Sequence, residues 1–256
     1  MCELFGLTSR CRLELNELLS EFFSHGIEHP NGWGMAFFYD NAVSLEKQPE
    51  GAHKSSYLKQ RLQSKVEADK MIAHIRLATR GNLNYENTHP FVMRDNSNRT
   101  WTLAHNGTIF DCDLLNPFAH SQQGQTDSER ILAYIVSRIN AELEKKKGLS
   151  GQERFELLDE IIGEITPENK VNLLLFDGEL MYVHTNYQNS LYRCRKGEGV
   201  IISTRPLDHR QWEQIPMNTL IAYKDGKQMY AGTDHGNEFF ETEEKMRLLF
   251  LDFANL

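Results

Sequence analysis

The sequence predicts a single α+β domain in which antiparallel sheets are covered by layers of helices. Short β-rich segments occur before and after the helical segments, and Asp177-Gly178 and Asp225-Gly226 each separate two such segments. An Asp-Gly pair between β-rich runs is typical of tight antiparallel hairpins. No internal repeat and no Gly/Ser-rich or Pro-rich linker interrupts the 256 residues. We therefore expect one domain over residues 1–256, and not a doubly wound parallel sheet.

Three helices are predicted from the spacing of apolar residues and from signals at the helix ends. Apolar side chains recur with helical periodicity in two segments. The second segment opens with the capping-box pattern Thr126-Asp127-Ser128-Glu129, and a third helix runs from Ser150 through Ile165 and stops before Pro167. The periodic positions are Leu15, Leu18, Leu19, Phe22 and Phe23 in the first helix and Ile131, Leu132, Ile135, Val136 and Ile139 in the second.

The predicted strands are short segments rich in β-branched and aromatic residues. They lie between and after the helices, so each helix is expected to cover a sheet. The predicted strands are Trp33–Tyr39, Met71–Arg76, Trp101–His105, Val171–Phe176, Leu180–His184 and Val200–Ser203.

The charge balance and the apolar patterning exclude several classes of partner. Lys and Arg number 28 against 36 Asp and Glu, which gives a formal net charge of −8. This balance provides no electrostatic basis for binding nucleic acid or an anionic membrane. No apolar run approaches the roughly 20 residues of a membrane helix, and the N-terminus lacks the pattern of a secretion signal. We expect a cytoplasmic protein whose four cysteines are reduced thiols.

Cys2 is the residue with the most informative position. A small residue after the initiator Met is compatible with removal of that Met, which would leave Cys2 at the N-terminus. A terminal Cys carries a nucleophilic thiol and an α-amine that can act as its base. Taken alone, a Cys at position 2 is better explained as a small residue of a buried strand, so the catalytic interpretation needs further support.

Asn106 and Gly107 follow the predicted strand Trp101–His105 at the point where we expect it to leave the sheet. An Asn side-chain amide beside a Gly main-chain N–H offers two convergent donors to an oxyanion. A simple Asn-Gly turn between strands would explain the same dipeptide. The pair therefore gains weight only in combination with a nucleophile.

Arg76 and Asp127 have charges suited to the two ends of an amino acid. Arg76 ends an otherwise apolar predicted strand, where its burial would be costly unless an anion meets it. Asp127 lies in the first turn of a predicted helix, where the helix dipole favours a carboxylate without any function. A structural ion pair would satisfy Arg76 equally well. Together, the two residues could bind an α-carboxylate and an α-ammonium.

Motifs for several other chemistries are absent from the sequence. No H-E-x-x-H, Walker A, G-x-G-x-x-G or G-x-S-x-G pattern occurs. No C-x-x-C pair occurs, and His25 and His29 precede Pro30-Asn31-Gly32 in a predicted loop. We therefore expect no metal site, and metalloprotease, phosphate-loop, dinucleotide and nucleophile-elbow functions lack support.

A series of short motifs runs in order through the first half of the chain. These are Met1-Cys2-Glu3-Leu4-Phe5-Gly6, NGWG at 31–34, HIRLAT at 74–79, NTHPF at 87–91, HNG at 105–107 and TDSE at 126–129. In this order the motifs resemble those of the class II glutamine amidotransferases, and most closely the stand-alone bacterial subgroup without a synthase domain. The resemblance implies the four-layer αββα fold of N-terminal-nucleophile hydrolases, with two antiparallel sheets between helix layers.

The resemblance also implies a reaction and a role for each candidate residue. A Cys thiolate would attack the γ-carboxamide of glutamine, release ammonia and form a γ-glutamyl thioester, which water hydrolyses to glutamate. Neither a metal nor an organic cofactor takes part. The implied roles are Cys2 as nucleophile, Asn106 and Gly107 as oxyanion hole, Arg76 for the α-carboxylate, Asp127 for the α-ammonium, and Thr79 with the backbone around Arg80 to complete the carboxylate pocket.

Three alternatives remain open at this point. The enzyme could deliver ammonia from glutamine, a small-molecule substrate, to a separate partner protein. It could instead hydrolyse another γ-glutamyl amide, as similar enzymes of ergothioneine synthesis and glutathione breakdown do. A catalytically silent amino-acid-binding or scaffold protein would follow if Met1 were retained. Family members often have Asp where this chain has Asn31, and we expect that difference to adjust a loop and leave the nucleophile unaffected.

Overall fold

The computed structural model describes residues 2–39, 42–78 and 81–247. The α-helices among them are α1 (Asn16–Ser24), α2 (Ser56–Gln63), α3 (Asp127–Lys145) and α4 (Gly151–Ile165), with 3₁₀ helices at His25–Ile27 and Asp113–His120. The strands are β1 (Glu3–Glu14), β2 (Trp33–Tyr39), β3 (Ala42–Gln48), β4 (Glu67–Ile75), β5 (Phe91–Arg94), β6 (Thr100–Thr108), β7 (Lys170–Phe176), β8 (Met181–His184), β9 (Tyr192–Lys196), β10 (Gly199–Ser203), β11 (Glu213–Gln214), β12 (Ile221–Lys224) and β13 (Lys227–Ala231).

These strands form two antiparallel sheets, which confirms the predicted α+β class. One sheet has the strand order β11-β9-β10-β1-β4-β2-β3, and the other has the order β13-β12-β8-β7-β6-β5. Both Asp-Gly hairpins are present, between β7 and β8 and between β12 and β13. Asp225 and Gly226 have φ angles of 50° and 77°, the left-handed pair that a two-residue hairpin turn requires.

The alternation of side chains along each strand builds the four layers. In β1, Leu4 packs between the two sheets, whereas Phe5 and Leu7 pack toward α1 on the outer face. In β7, Leu174 faces the other sheet, and its neighbours face α3 and α4. Because side chains alternate along a strand, β1 and β7 each contribute both to an inner core between the two sheets and to an outer core between a sheet and its helices. The expected αββα arrangement is confirmed.

The three predicted helices are present, and one of their start signals differs from prediction. The Thr126 hydroxyl accepts a hydrogen bond from the Glu129 N–H, but the Glu129 carboxylate accepts from two backbone N–H groups of the preceding loop. The pattern at 126–129 therefore forms half of a capping box. Ser150 and Glu153 form the complete box at the start of α4.

Strand β6 is longer than the predicted strand Trp101–His105. Asn106 and Gly107 were expected where this strand leaves the sheet, yet both lie inside β6 and pair with Asn172 and Val171 of β7. Pairing with a buried neighbouring strand outweighs the weak strand preference of Asn and Gly. The Asn-Gly turn is thereby excluded as the explanation for this dipeptide. None of the helices in the described ranges is long and apolar enough to cross a membrane.

Gly34 of β2 provides a test of this packing. A Cβ atom at Gly34 would lie 2.1 Å from the carbonyl oxygen of His89. We expect Gly34→Ala to destabilise the protein by roughly 1–3 kcal/mol, because backbone must move to admit the methyl group. Gly163 of α4 has no atom within 4 Å of such a Cβ, so Gly163→Ala should stabilise by roughly 0.5–1 kcal/mol. Urea unfolding should give opposite signs, and equal effects would contradict this packing.

Candidate active site

Cys2 lies directly before β1, beside the end of the neighbouring strand β4. The two strands are antiparallel with Glu3 opposite Ile75, so the residue before β1 lies beside the residues that follow β4. The Leu77 N–H donates to the Cys2 Sγ at 3.3 Å, and the thiol donates to the Leu77 carbonyl at 3.4 Å. A single residue of the following loop therefore fixes the position of the sulfur.

The electrostatic surroundings keep this thiol protonated. Burial raises the pKa of Cys2, while the Leu77 N–H and the positive charge of Arg76 act in the opposite direction. The negative charge of Asp127 raises the pKa further. The net shift is upward, and the thiolate is the nucleophilic form. Attack by Cys2 therefore requires a nearby group that accepts its proton.

Asn106 and Gly107 lie beside Cys2, because all three line one cavity of about 150 Å³. Val171 donates its N–H to the Asn186 side chain and not to β6. In an antiparallel pair this orientation turns the opposing Gly107 N–H away from β7 as well. Among the described residues, β5 pairs with β6 only as far as Leu103. The Gly107 N–H therefore faces the side of β6 that β5 does not reach.

Gly107 also has a structural reason to lack a side chain. A Cβ atom there would lie 1.9 Å from the Lys170 carbonyl oxygen and 2.4 Å from the His105 Nε2.

The side chain of Asn106 is 3% exposed. Its Oδ1 has no hydrogen-bond partner among the described residues.

Arg76 is buried at the start of the loop that follows β4. Its guanidinium donates to the carbonyl oxygens of Gly81 and Asn82, each at 3.0 Å. Burial lowers the pKa of Arg76, and the charges of Cys2 and Asp127 oppose that shift. These contacts show Arg76 shaping its own loop. Thr79 and Arg80, the other residues expected in the carboxylate pocket, lie outside the described residues.

Asp127 is the first residue of α3, as predicted. Its Oδ2 accepts from the Ile109 N–H at 2.8 Å, and its Oδ1 accepts from the Ser128 hydroxyl at 3.3 Å. The carboxylate therefore joins the end of β6 to the start of the helix. Of the described residues, neither Arg76 nor Asp127 lines the cavity beside Cys2, although both charges act on its thiol.

The Asn31 side chain supports the same loop. The Asn31 Oδ1 accepts from the Ala78 N–H at 3.0 Å, and the Asn31 backbone N–H donates to the Arg76 carbonyl. A carboxylate oxygen could accept the same hydrogen bond, so Asn in place of Asp preserves this contact. The role of Asn31 in the loop agrees with the expectation from the sequence.

Several cavity residues were not predicted from the sequence. Lys170 is the first residue of the buried strand β7. A charged residue directly before an apolar segment is the one feature of the sequence that could have indicated a role for it. Burial lowers the pKa of Lys170 to about 8, while the charges of Glu241 and Cys2 raise it. Residues after β13 complete the cavity wall, and nothing in their local sequence links them to Cys2. The residues concerned are Phe110, Lys170, Phe239, Glu241, Lys245 and Met246.

Glu3 anchors the start of β1 immediately after Cys2. Its buried carboxylate contacts His25 Nδ1 at 2.7 Å, His29 Nε2 at 3.2 Å and Arg205 Nε at 2.7 Å. These partners come from two segments of the chain, one with both histidines and one with Arg205. His25, which was expected in a loop, lies in the 3₁₀ helix His25–Ile27, and both histidines join Arg205 in a cluster around Glu3. No group of three or more His, Cys, Asp or Glu within the described ranges could hold a metal ion.

The Glu3 cluster gives a pH-dependent prediction. Burial alone would raise the pKa of Glu3, but the His29 and His25 hydrogen bonds and nearby positive charges outweigh it, so the pKa is lowered. Its stabilising contribution is present above the unfolded-state value near 4.3 and is lost as pH falls through the lower folded-state pKa. We expect Glu3→Gln to cost on the order of 3 kcal/mol at pH 7.

The control for this prediction is Glu67→Gln, which removes the carboxylate of an exposed ion pair with Lys65. An exposed pair contributes little to stability. Urea unfolding at pH 7 and at pH 3 should show a large deficit for Glu3→Gln that shrinks in acid. A deficit independent of pH would contradict the assignment of a depressed pKa to Glu3.

Known proteins share this fold and part of this sequence. The layered fold is that of N-terminal-nucleophile hydrolases: it superimposes on a predicted glutamine amidotransferase from Pseudomonas aeruginosa with a TM-score of 0.61 and 19% identity, over 90% of this chain and 100% of that one. The family model for class II glutamine amidotransferases matches residues 1–197. The chain belongs to the class II glutamine amidotransferase family.

Two curated relatives extend this result. A putative glutamine amidotransferase from Haemophilus influenzae is 27% identical, over 90% of this chain and 86% of the relative. The γ-glutamyl-hercynylcysteine sulfoxide hydrolase of Mycolicibacterium smegmatis is 26% identical, over 78% of this chain and 81% of the relative. The family resemblance inferred from the motifs is therefore confirmed, and γ-glutamyl hydrolases are among the relatives.

Proposed function

We propose that the protein is an N-terminal cysteine amidohydrolase that cleaves the γ-carboxamide of glutamine through a γ-glutamyl thioester on Cys2. The observation that carries this proposal is the meeting of Cys2, Asn106 and Gly107 around one cavity. Membership of the class II family supports the same reaction. In this proposal Arg76 and Asp127, whose charges both act on the thiol, hold the α-carboxylate and the α-ammonium of the substrate.

The proton acceptor in this reaction is the α-amine of Cys2, which is released when Met1 is removed. A terminal amine has a pKa near 7.7–8.0 and can accept a proton at neutral pH. An amide nitrogen, as in the chain that keeps Met1, has no basic lone pair. Because burial raises the pKa of the thiol, removal of Met1 supplies a base on the same residue as the nucleophile.

The chemical steps follow from these positions. The Cys2 sulfur attacks the γ-carbonyl carbon, and its proton passes to the α-amine. Negative charge that develops on the carbonyl oxygen is stabilised by the Asn106 amide and the Gly107 N–H. The carbon–nitrogen bond then breaks, the α-amine returns the proton to the leaving nitrogen, and water hydrolyses the thioester to glutamate.

A second candidate function is hydrolysis of γ-glutamyl amides with a larger leaving amine. Ammonia is a single heavy atom, whereas the cavity beside Cys2 measures about 150 Å³. A relative is named as a hydrolase of a γ-glutamyl compound. The nucleophile and the oxyanion donors are the same in both functions, so the leaving amine alone separates them.

The nucleophile is tested by substitution and labelling. We expect Cys2→Ala to abolish hydrolysis of glutamine and of γ-glutamyl amides while the protein stays folded, because the change removes one small side chain. Cys11→Ala, which alters an exposed thiol, is the matched control and should retain activity. A diazo-ketone analogue of glutamine should add one label, located at Cys2 by mass spectrometry. The same intact mass reports whether Met1 is absent, and a label on another thiol would contradict the assignment.

The oxyanion donor is tested by the kinetics of Asn106→Ala. This side chain acts on charge that develops in the transition state, so we expect kcat to fall by roughly 10²–10³ with a small change in KM. Asn116→Ala is the control, since Asn116 is exposed and its side chain donates to Asp113. A loss confined to KM would reassign Asn106 to substrate binding.

A further inference from the structure

In the part of the chain that the structure describes, the lining of the cavity beside Cys2 does not include the two charged residues proposed to hold the α-groups of the substrate. The cavity touches the nucleophile and both oxyanion donors, but among the described residues Arg76 and Asp127 are not part of its lining. If these two residues hold the α-groups of a γ-glutamyl substrate, the glutamyl chain approaches Cys2 from their side. The cavity then receives whatever is attached to the amide nitrogen. Glutamine carries nothing there that would fill it.

The walls of this cavity are largely apolar. Leu77, Phe110, Phe239 and Met246 contribute to its lining. The rings of Phe110 and Phe239 stack with their centroids 5.7 Å apart and their planes at 9°. Pockets with walls of this kind bind apolar groups, and a few polar groups fix the orientation of the ligand.

The polar groups that line the cavity include an ion pair. Lys170 is 3% exposed, and its Nζ lies 3.8 Å from the Glu241 carboxylate and 3.4 Å from the centre of the Tyr187 ring. Glu241 lies on a more exposed segment, and 3.8 Å is longer than a good charge-assisted hydrogen bond. A carboxylate on a bound molecule could therefore replace Glu241 beside the Lys170 ammonium.

The segment that carries Glu241 is held in place by contacts with the start of β7. The Phe239 N–H donates to the Asn186 carbonyl at 2.7 Å, and the Asn186 Oδ1 accepts from Val171. The Lys245 Nζ donates to the Glu168 carboxylate at 2.7 Å. The wall is thus a built part of the fold, and it lies beyond residue 197, where the match to the family model ends.

We propose that this cavity binds the leaving amine of a γ-glutamyl amide, and that Lys170 and Glu241 select an amine that carries a carboxylate and an apolar side chain. Such an amine is an α-amino acid, so the substrate class is γ-glutamyl amino acids. This inference rests on the proposed function, because Cys2 must cleave the γ-glutamyl amide bond. The sulfur–carbon bond forms, the carbon–nitrogen bond breaks, the amino acid leaves with the thiol proton, and water hydrolyses the thioester.

Three γ-glutamyl substrates, two of them matched in shape, test the proposal. They are glutamine, γ-glutamyl-leucine, and γ-glutamyl-isoamylamide, which is the same compound without the leucine carboxylate. With protein shown by mass to lack Met1, we expect kcat/KM for γ-glutamyl-leucine to exceed that for each of the other two by roughly tenfold or more, since a hydrogen-bonded charge pair is worth about this factor.

Two substitutions should move this selectivity in opposite directions. Lys170→Met should lower the ratio of kcat/KM for γ-glutamyl-leucine over γ-glutamyl-isoamylamide by roughly tenfold, through KM, because it removes the ammonium and keeps the apolar stem. Glu241→Gln, on the more exposed segment, should raise the same ratio because it removes the competing carboxylate. Lys70→Met, which breaks ion pairs with Asp69 and Asp225, is the control and should leave the ratio unchanged.

The outcomes separate this inference from the proposed function. If glutamine is cleaved but γ-glutamyl-leucine is not preferred, or if neither substitution moves the ratio, the leaving-amine site is overturned and the amidohydrolase stands. If no γ-glutamyl compound is cleaved by the processed protein, the proposed function fails, and this inference fails with it. Should Lys170→Met not fold, the rise expected for Glu241→Gln still decides the question.

Discussion

The antiparallel pairing of β1 with β4 is the constraint on which the site depends. Because Glu3 is opposite Ile75, the residue that precedes β1 lies beside the residues that follow β4. Cys2 thus reaches the Leu77 backbone. A slip of one residue would send alternate side chains of β1 to the opposite face and break both cores at once. The position of Cys2 is therefore as well specified as the hydrophobic core.

Asn106 and Gly107 of the second sheet lie beside Cys2 because the two sheets pack face to face. Leu4 of β1 and Ala104 of β6 belong to the same inner core, so the two strands are adjacent across the sandwich. The buried Glu3 cluster then holds the first residue of β1 from the outer side. Inner packing and outer ion pairing together fix a thiol whose raised pKa makes it dependent on a local base.

The fold class could be predicted from local sequence, whereas the positions of the candidate site residues depend on long-range pairing. Asp-Gly hairpins and helical periodicity act within a few residues, and the structure contains both. Asn106 and Gly107 were placed at a strand exit because their own preferences oppose strand formation, and only pairing with β7 keeps them in β6. Strand β1 was not predicted either, although its central position in the sheet determines where Cys2 lies.

Lys170 and Glu241 show why a cavity is harder to predict than a motif. Each lies in a segment with no chemical signature, and they meet only because the segment after β13 returns across the start of β7. Cys2, Asn106, Gly107 and Lys170 lie within the part that the family model matches, whereas Phe239 and Glu241 lie beyond it. If the proposed function holds, the leaving amine is contacted by both parts of the chain. A change in the segment after β13 could then alter the amine that is accepted without replacing Cys2, Asn106 or Gly107.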